Sequence, residues 1–273
     1  MALEFHGQPA IMYQQQLDNS RKYVLPFVEE KTGSVRGKKV LEIGSAEGGV
    51  LSAFAEKGAD CLGVELHDNR TVRGREFSKD FIARYKMELT TGNIFDTELQ
   101  KRLKNSFDII ILKDVIEHLP DQASFVKEMK TFLKPGGVIF FGFPPWHMPF
   151  GGHQQITKSK IGKMPYYHIL PRSVYRFVLA NFIKENSDTI NELLEIHDTQ
   201  ISINRFLRVM KNGGYKILNR RFYLVNPIYY YKFGLKPRKQ FALLQAVPYL
   251  RDFFTTCCYY LVGRNEDNIP TKA

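Results

Sequence analysis

The residues most suited to chemistry lie in a glycine-rich segment, VLEIGSAEGG, at positions 40–49. An apolar run leads into Gly44, and a helical pattern begins near Gly48. Glycine allows a ligand to approach the backbone closely, and the first turn of a helix offers free N–H groups. The segment is a candidate ligand cradle, and tight packing between a strand and a helix is the alternative. It lacks the Lys-Ser/Thr pair of a phosphate-binding Walker loop.

A carboxylate follows at a spacing that suits ribose recognition. Glu65 ends the apolar run LGVEL, 21 residues after Gly44. A carboxylate about 20 residues beyond a glycine turn can accept hydrogen bonds from both ribose hydroxyls. The two features together indicate a nucleoside cofactor. They leave a nicotinamide dinucleotide, or a plain surface carboxylate, as alternatives.

Strands and helices alternate around these residues. The apolar runs predict seven strands, and helical patterns separate the first five of them. This alternation predicts an α/β fold with a parallel sheet and helices on both faces. Ligands of such sheets bind beyond the carboxyl ends of the strands, so functional residues should follow residues 43, 64, 92, 113 and 143. The predicted strands span 38–44, 60–66, 107–114, 137–143, 215–225 and 255–265, and residues 87–96 hold the third strand with the loop that follows it.

Two further segments separate the possible cofactors, FDIIILKDVIEHLPD at 107–121 and LKPGGVIFF at 133–141. With them, residues 38–143 resemble a class I S-adenosylmethionine (SAM)-dependent methyltransferase of the small-molecule type. The resemblance implies a Rossmann-like, seven-stranded, mostly parallel sheet and a helix that ends at the Pro-Gly-Gly turn. It also implies SAM as cofactor and methyl transfer to an oxygen or nitrogen of a small-molecule acceptor, such as a sugar, a lipid-linked compound or another metabolite.

The resemblance assigns a cofactor role to each motif. The glycine segment would hold the methionine half, Glu65 the ribose and Asn93 the adenine. Two departures predict weaker or altered binding, because Ala46 replaces a usual glycine and Asn93 replaces an acidic residue. Glu42 can accept from the ammonium group of SAM, and neighbouring apolar residues suit adenine. The predicted cofactor residues are Glu42, Gly44, Ser45, Ala46, Gly48, Glu65, Leu66, Asn93, Ile94, Lys113, Asp114, Val115 and His118.

Two histidines are the candidate catalytic residues. A general base is needed only when the acceptor must lose a proton, as a hydroxyl must. His153 lies in the loop PPWHMPFGGHQQ at 144–155, which follows the fifth strand, and it is a candidate base or acceptor-orienting residue. His118, in the Glu117-His118 pair, is a candidate base or pocket wall. The spacing of His, Cys, Asp and Glu predicts no metal site.

The net charge of +11 lies in the second half of the chain. Residues 1–149 hold 20 basic and 20 acidic residues, whereas residues 150–273 hold 19 and 8. Residues 199–251 contain eleven Lys/Arg, ten Phe/Tyr and no Asp or Glu. We predict four segments: an N-terminal helical cap (1–36), a SAM-binding core (37–145), a helical lid over the acceptor (146–199) and a C-terminal completion of the sheet with a basic, aromatic insertion (200–273).

The basic segment 199–251 leaves several partners open. It could bind an anionic substrate, an anionic membrane surface or, less in keeping with the other motifs, nucleic acid. It could also mediate a homodimer or be an ordinary basic surface. The rival functions are an RNA- or membrane-binding module with a vestigial core, an RNA or protein methyltransferase, and an NAD-dependent oxidoreductase. The N-terminus lacks the pattern of a secretory signal and no apolar run approaches a membrane span, so we expect a cytoplasmic protein.

Overall fold

The computed structural model describes residues 8–265, and one eight-stranded sheet runs through it. The strands are β1 (Lys39–Ile43), β2 (Asp60–Glu65), β3 (Met87–Thr91), β4 (Phe107–Lys113), β5 (Leu133–Phe143), β6 (Tyr215–Val225), β7 (Arg238–Lys239) and β8 (Cys257–Arg264). Their spatial order is β3-β2-β1-β4-β5-β8-β6-β7. The first five strands pair in parallel, and β6, β7 and β8 pair antiparallel.

Helices cover both faces of this sheet. They are α1 (Pro9–Asn19), α2 (Leu25–Thr32), α3 (Gly49–Glu56), α4 (Asp68–Phe77), α5 (Lys79–Arg84), α6 (Thr97–Leu103), α7 (Gln122–Phe132), α8 (Arg172–Phe177), α9 (Ser187–Thr199), α10 (Ile203–Asn212), α11 (Ile228–Phe233), α12 (Ala242–Ala246) and α13 (Leu250–Phe253). Short π-helical turns at Ser20–Val24 and Val178–Ile183 continue α1 into α2 and extend α8.

The core explains why β4 is central. Its sequence is apolar without alternation, and residues Ile109 to Leu112 are fully buried. One face packs with Phe54 of α3 and Val28 of α2, and the other with Phe125 of α7. A strand that is buried on both faces is typical of a parallel sheet between two helical layers. The predicted α/β architecture with a mostly parallel sheet is therefore confirmed.

Two details differ from the predictions. The sheet has eight strands instead of seven, because Arg238–Lys239 adds an edge strand beside β6. Two residues are too short to give a periodic pattern. The Pro-Gly-Gly segment also does not end the helix, since α7 stops at Phe132 and β5 starts at once at Leu133. The register of β5 against β4 shifts there, from Phe107 paired with Leu133 to Ile109 paired with Val138.

The segment after β5 forms a separate apolar cluster around Tyr175, Leu179 and Leu193.

In the basic segment 199–251, part of the positive charge is used internally. Arg221 pairs with Glu30 at 2.7 Å, whereas Arg238 and Lys239 are exposed, as is the apolar Leu243 a few residues later in the chain. Across residues 8–265, none of the helices combines the length and the apolar character that crossing a bilayer requires. The four predicted segment boundaries stay predictions.

Candidate cofactor and acceptor site

The glycine segment lies at the carboxyl end of β1. In the sheet β1 has β2 on one side and β4 on the other, so the direction in which strands are added reverses here. Gly44 (φ 67°) and Gly48 (φ 81°) both adopt the left-handed backbone region. The Gly44 N–H donates to the Val64 carbonyl at 2.8 Å, and a Cβ on Gly44 would lie 2.8 Å from Val115 Cγ2. The turn is thus held between the end of β2 and the loop after β4, at the switch point where α/β sheets bind ligands.

Glu65 ties this turn to β2. Its side chain is 4% exposed, and its two carboxylate oxygens accept from the backbone N–H groups of Ala46 (2.9 Å) and His67 (3.0 Å). A carboxylate offers about four acceptor positions, so two stay available for a diol. Ala46 adopts φ 49°, a region that favours glycine. The alanine that departs from the family pattern therefore occupies a strained position next to the proposed ribose site.

Glu42 lies beneath the turn and is almost completely buried. Its carboxylate accepts from the Leu51 N–H of α3 at 3.1 Å. Burial raises the pKa of Glu42 to about 8, against the opposing effects of Lys113 and of the Leu51 bond. Lys113 is itself buried and lies 2.5 Å from the Asp114 carboxylate. The proposed acceptor for the SAM ammonium group is thus a carboxyl that still carries its proton at neutral pH.

This protonated carboxyl should make stability depend on pH. The folded protein keeps a proton that the unfolded chain releases above about pH 4.5, so the free energy of unfolding should fall as the pH rises from 4.5 towards 8 and then level off. The Glu42→Gln variant keeps a neutral group, and it should lose this part of the slope. Chemical denaturation at a series of pH values measures it.

The comparison must isolate Glu42 from its titratable neighbours, which are Lys113, Glu65 and Cys61. Glu88 lies on β3 with an exposed side chain, so Glu88→Gln is the matched control and should keep the wild-type slope. If the Glu42→Gln and wild-type curves run parallel across this range, the buried carboxyl is not the titrating group.

The predicted adenine residues form a looser arrangement. Asn93 is exposed, and its amide oxygen accepts from the Phe95 N–H at 3.0 Å. Ile94 is buried, while Leu66 is 60% exposed and Phe95 is 51% exposed. Exposed apolar side chains on neighbouring loops could enclose an aromatic ring system. Phe95 was missed in the sequence analysis, and its place directly after Asn93-Ile94 was the available signal.

The two candidate catalytic histidines lie next to each other. The rings of His118 and His153 meet edge to face with centroids 5.1 Å apart. Burial, reinforced by His118, lowers the pKa of His153 to about 4. Desolvation by neighbouring atoms also lowers the pKa of His118, although the residue as a whole is exposed. Both imidazoles are therefore neutral at neutral pH. Each has a free electron pair on one ring nitrogen, which can bind a proton or another electron-pair acceptor.

Three groups near these histidines had no assigned role in the sequence analysis. Glu117 is 2% exposed, and burial together with Asp114 raises its pKa well above the ordinary value. Lys232 of α11 faces Asp114, and burial lowers the pKa of this lysine. Trp146 packs against His168, whose Nε2 lies 2.7 Å from the Trp146 carbonyl oxygen. Chain spacing could not reveal this neighbourhood, because its members come from the loops after β4 and β5 and from α11.

A cavity of about 430 Å³ lies elsewhere, among Lys39, Asp60 and Lys86. These residues stand at or beside the amino ends of β1, β2 and β3. Since ligands of parallel α/β sheets bind at the opposite edge, this cavity does not change the assignment of the site.

Comparisons with known proteins find similarity in sequence and in fold. The family model for a methyltransferase domain matches residues 14–156. Ubiquinone biosynthesis O-methyltransferases from Acinetobacter baumannii strain AYE and from Idiomarina loihiensis are 32% and 33% identical over 117 and 123 residues. Each alignment covers 43% of this chain, and 48% or 46% of the relative. The chain thus matches about half the length of these curated relatives.

Solved structures show the same fold. An S-adenosylmethionine-dependent methyltransferase from Mesorhizobium loti superposes with a TM-score of 0.53 at 17% identity, over 91% of this chain and 100% of the other. The trans-methyltransferase CalH in complex with SAH gives 0.52 at 14% identity, over 88% of this chain and 55% of the other.

Proposed function

Because the chain belongs to the methyltransferase domain family, in the class I SAM-dependent group that its motifs resemble, we propose that it transfers the methyl group of SAM to a hydroxyl oxygen of a small-molecule acceptor. The membership confirms the family and the cofactor predicted from the sequence. It also favours SAM over the nicotinamide cofactor that the glycine turn alone left open.

The observation that carries the choice of oxygen is the neutral pair His118–His153 beside the loop that follows β4. Methyl transfer is an in-line displacement, for which a protein mainly aligns the nucleophile with the methyl carbon. A hydroxyl must also lose its proton, and a neutral imidazole can accept it. The name O-methyltransferase of the relatives supports the same atom.

The low pKa of His153 narrows the range of hydroxyl groups that the proposed enzyme could methylate. An imidazole of pKa about 4 is a weak base, so it suits an acidic hydroxyl better than an alcohol. A phenol-type hydroxyl has a pKa of about 10, far below that of a sugar hydroxyl. Phenolic acceptors are therefore our first choice within the predicted class of small molecules.

Two measurements test the proposal in sequence. Isothermal titration should show saturable binding of SAM and of S-adenosylhomocysteine (SAH) to the folded protein. Mass spectrometry should then show a gain of one methyl group on a catechol or phenol, and not on a matched aniline or a simple sugar. Absence of binding by both nucleosides would end the proposal, and methylation of only the aniline would move the reaction from oxygen to nitrogen.

The remaining partners stay predictions. They are an anionic substrate or membrane surface on segment 199–251, and a homodimer. Arg238, Lys239 and Leu243 of this segment are exposed, which is compatible with each of these surfaces.

A further inference from the structure

Three potential metal ligands meet at the acceptor side of the cleft. One ligand atom each from Glu117, His118 and His153 lies within 4.8 Å of the other two. Glu117 and His118 belong to the short 3-10 turn after β4, at Ile116–His118, and His153 comes from the loop after β5. Two imidazoles and one carboxylate are a ligand set that divalent transition metals use in proteins.

Glu117 provides an independent reason to expect a ligand. It is 2% exposed, and within residues 8–265 neither of its carboxylate oxygens has a hydrogen-bond partner. Buried carboxylates are normally paired, hydrogen-bonded or bound to metal, because an uncompensated one is costly. Among these residues, both oxygens of Glu117 therefore lack a hydrogen-bond partner, and each of the two imidazole rings has a ligand nitrogen within 4.8 Å of a Glu117 oxygen.

The loop that carries His153 is held tightly against its surroundings. A Cβ on Gly151 would lie 2.2 Å from the Trp146 carbonyl oxygen, and one on Gly152 would lie 2.1 Å from His168 Cβ. His153 itself adopts φ 57°, which is rare for a residue other than glycine. Such strained positions persist only where the surrounding structure enforces them, and they cluster at functional sites. The packing thus directs His153 towards Glu117.

The charges around the cluster partly compensate one another. Asp114 lies beside the cluster, and its carboxylate is paired with Lys113 at 2.5 Å. Lys232 is a second cation that faces Asp114, and it opposes a bound metal ion. The group at the centre that has no ion-pair or hydrogen-bond partner among residues 8–265 is Glu117, and a bound cation would favour its ionised form and compensate the charge.

We propose that Glu117, His118 and His153 bind one divalent transition-metal ion, which holds the acceptor hydroxyl for methyl transfer. This role rests on the proposed function. Three protein ligands leave coordination positions open for water or substrate. With both imidazoles holding the ion, they no longer accept the proton of the acceptor. A metal-bound hydroxyl instead loses its proton to solvent more readily than a free one. The resulting oxygen attacks the methyl carbon, the carbon–sulfur bond breaks, its electron pair stays on sulfur, and SAH forms.

Metal binding can be tested without activity. Protein treated with chelator and dialysed is titrated with Co²⁺ and with Zn²⁺, each alone, by absorption spectroscopy and calorimetry. We expect one equivalent of each ion to bind, with visible Co²⁺ absorption bands of a site with nitrogen ligands. Absence of saturable binding by both ions would overturn the site, whatever SAM does in parallel titrations.

Matched variants locate the site. His153→Asn removes the imidazole but tolerates the left-handed backbone, and Glu117→Gln keeps the size of the side chain. Each should weaken metal binding by at least the roughly 10–100-fold that loss of an outer-shell partner costs, with unfolding temperatures of the metal-free proteins near that of the wild type. His147→Gln changes a histidine of the same loop, which contacts Asp252 instead, and it should bind like the wild type. Wild-type affinity in both ligand variants would refute the assignment.

The role of the ion is tested separately from the proposed function. Chelated enzyme should still bind SAM but lose methylation of a phenolic acceptor, and Zn²⁺ or Co²⁺ should restore it. Full activity after complete metal removal would refute the role in acceptor activation. Failure of SAM binding itself would instead overturn the proposed function, while the metal titration above would keep its meaning.

Discussion

Replacing Glu65 by alanine should weaken SAM and SAH binding by about 10–100-fold. The structure places this carboxylate at the end of β2, buried, with two acceptor positions used by the backbone N–H groups of Ala46 and His67. The ribose hydroxyls would use the remaining two. Hydrogen bonds to a charged group contribute roughly 1.5–3 kcal/mol, which corresponds to that range of affinities. Calorimetric titration measures the change.

The effect must be separated from a structural role, since Glu65 also fixes the loop around Ala46. Methylthioadenosine contains the ribose, whereas methionine does not. Glu65→Ala should therefore weaken binding of methylthioadenosine far more than binding of methionine. Glu88→Ala, on an exposed position of β3, is the control and should leave both unchanged. Equal losses for the two ligands would mean that Glu65 only supports the loop, and unaltered SAM affinity would remove it from the site.

The backbone turn at Gly44 and the position of Glu65 could be predicted because their signals are local. Gly44 follows an apolar strand and precedes a helix, so its neighbours along the chain already define the turn. Glu65 ends the next strand, and parallel strands align their carboxyl ends at one edge of the sheet. The burial of β4 was likewise visible as a run of apolar residues without alternation.

The cluster of Glu117, His118 and His153 on the acceptor side of the site could not be predicted in the same way. Glu117 and His153 lie on loops after different strands, and only the neighbouring positions of β4 and β5 in the sheet bring them together. No spacing pattern encodes such a contact. The prediction that the Pro-Gly-Gly segment ends α7 was wrong for a related reason. Leu133 pairs with Phe107, so β5 begins directly after α7. Tertiary strand pairing here overrides the usual turn preference of Pro-Gly-Gly.

Gly44→Ala should destabilise the protein and abolish detectable SAM binding at concentrations that saturate the wild type. Two penalties add at this position. A left-handed backbone costs an alanine roughly 1–2 kcal/mol, and its Cβ would lie 2.8 Å from Val115 Cγ2, closer than van der Waals contact allows. The lower entropy of the unfolded alanine variant offsets only about 0.4–1 kcal/mol. The extra methyl group also occupies the cradle, so the affinity should fall more than the stability does.

Two companion variants separate these penalties. Gly136 has φ 75°, and a Cβ there would meet nothing within 4 Å, so Gly136→Ala reports the backbone strain alone. The double variant Gly44→Ala/Val115→Ala removes the clash and should regain part of the lost stability while SAM binding stays impaired. Thermal unfolding and calorimetric titration of all three decide the matter. The contrary result is that Gly44→Ala unfolds like Gly136→Ala and still binds SAM. The clash with Val115 and the obstruction of the cradle would then both be absent. In that case the turn after β1 neither presses against Val115 nor cradles the cofactor.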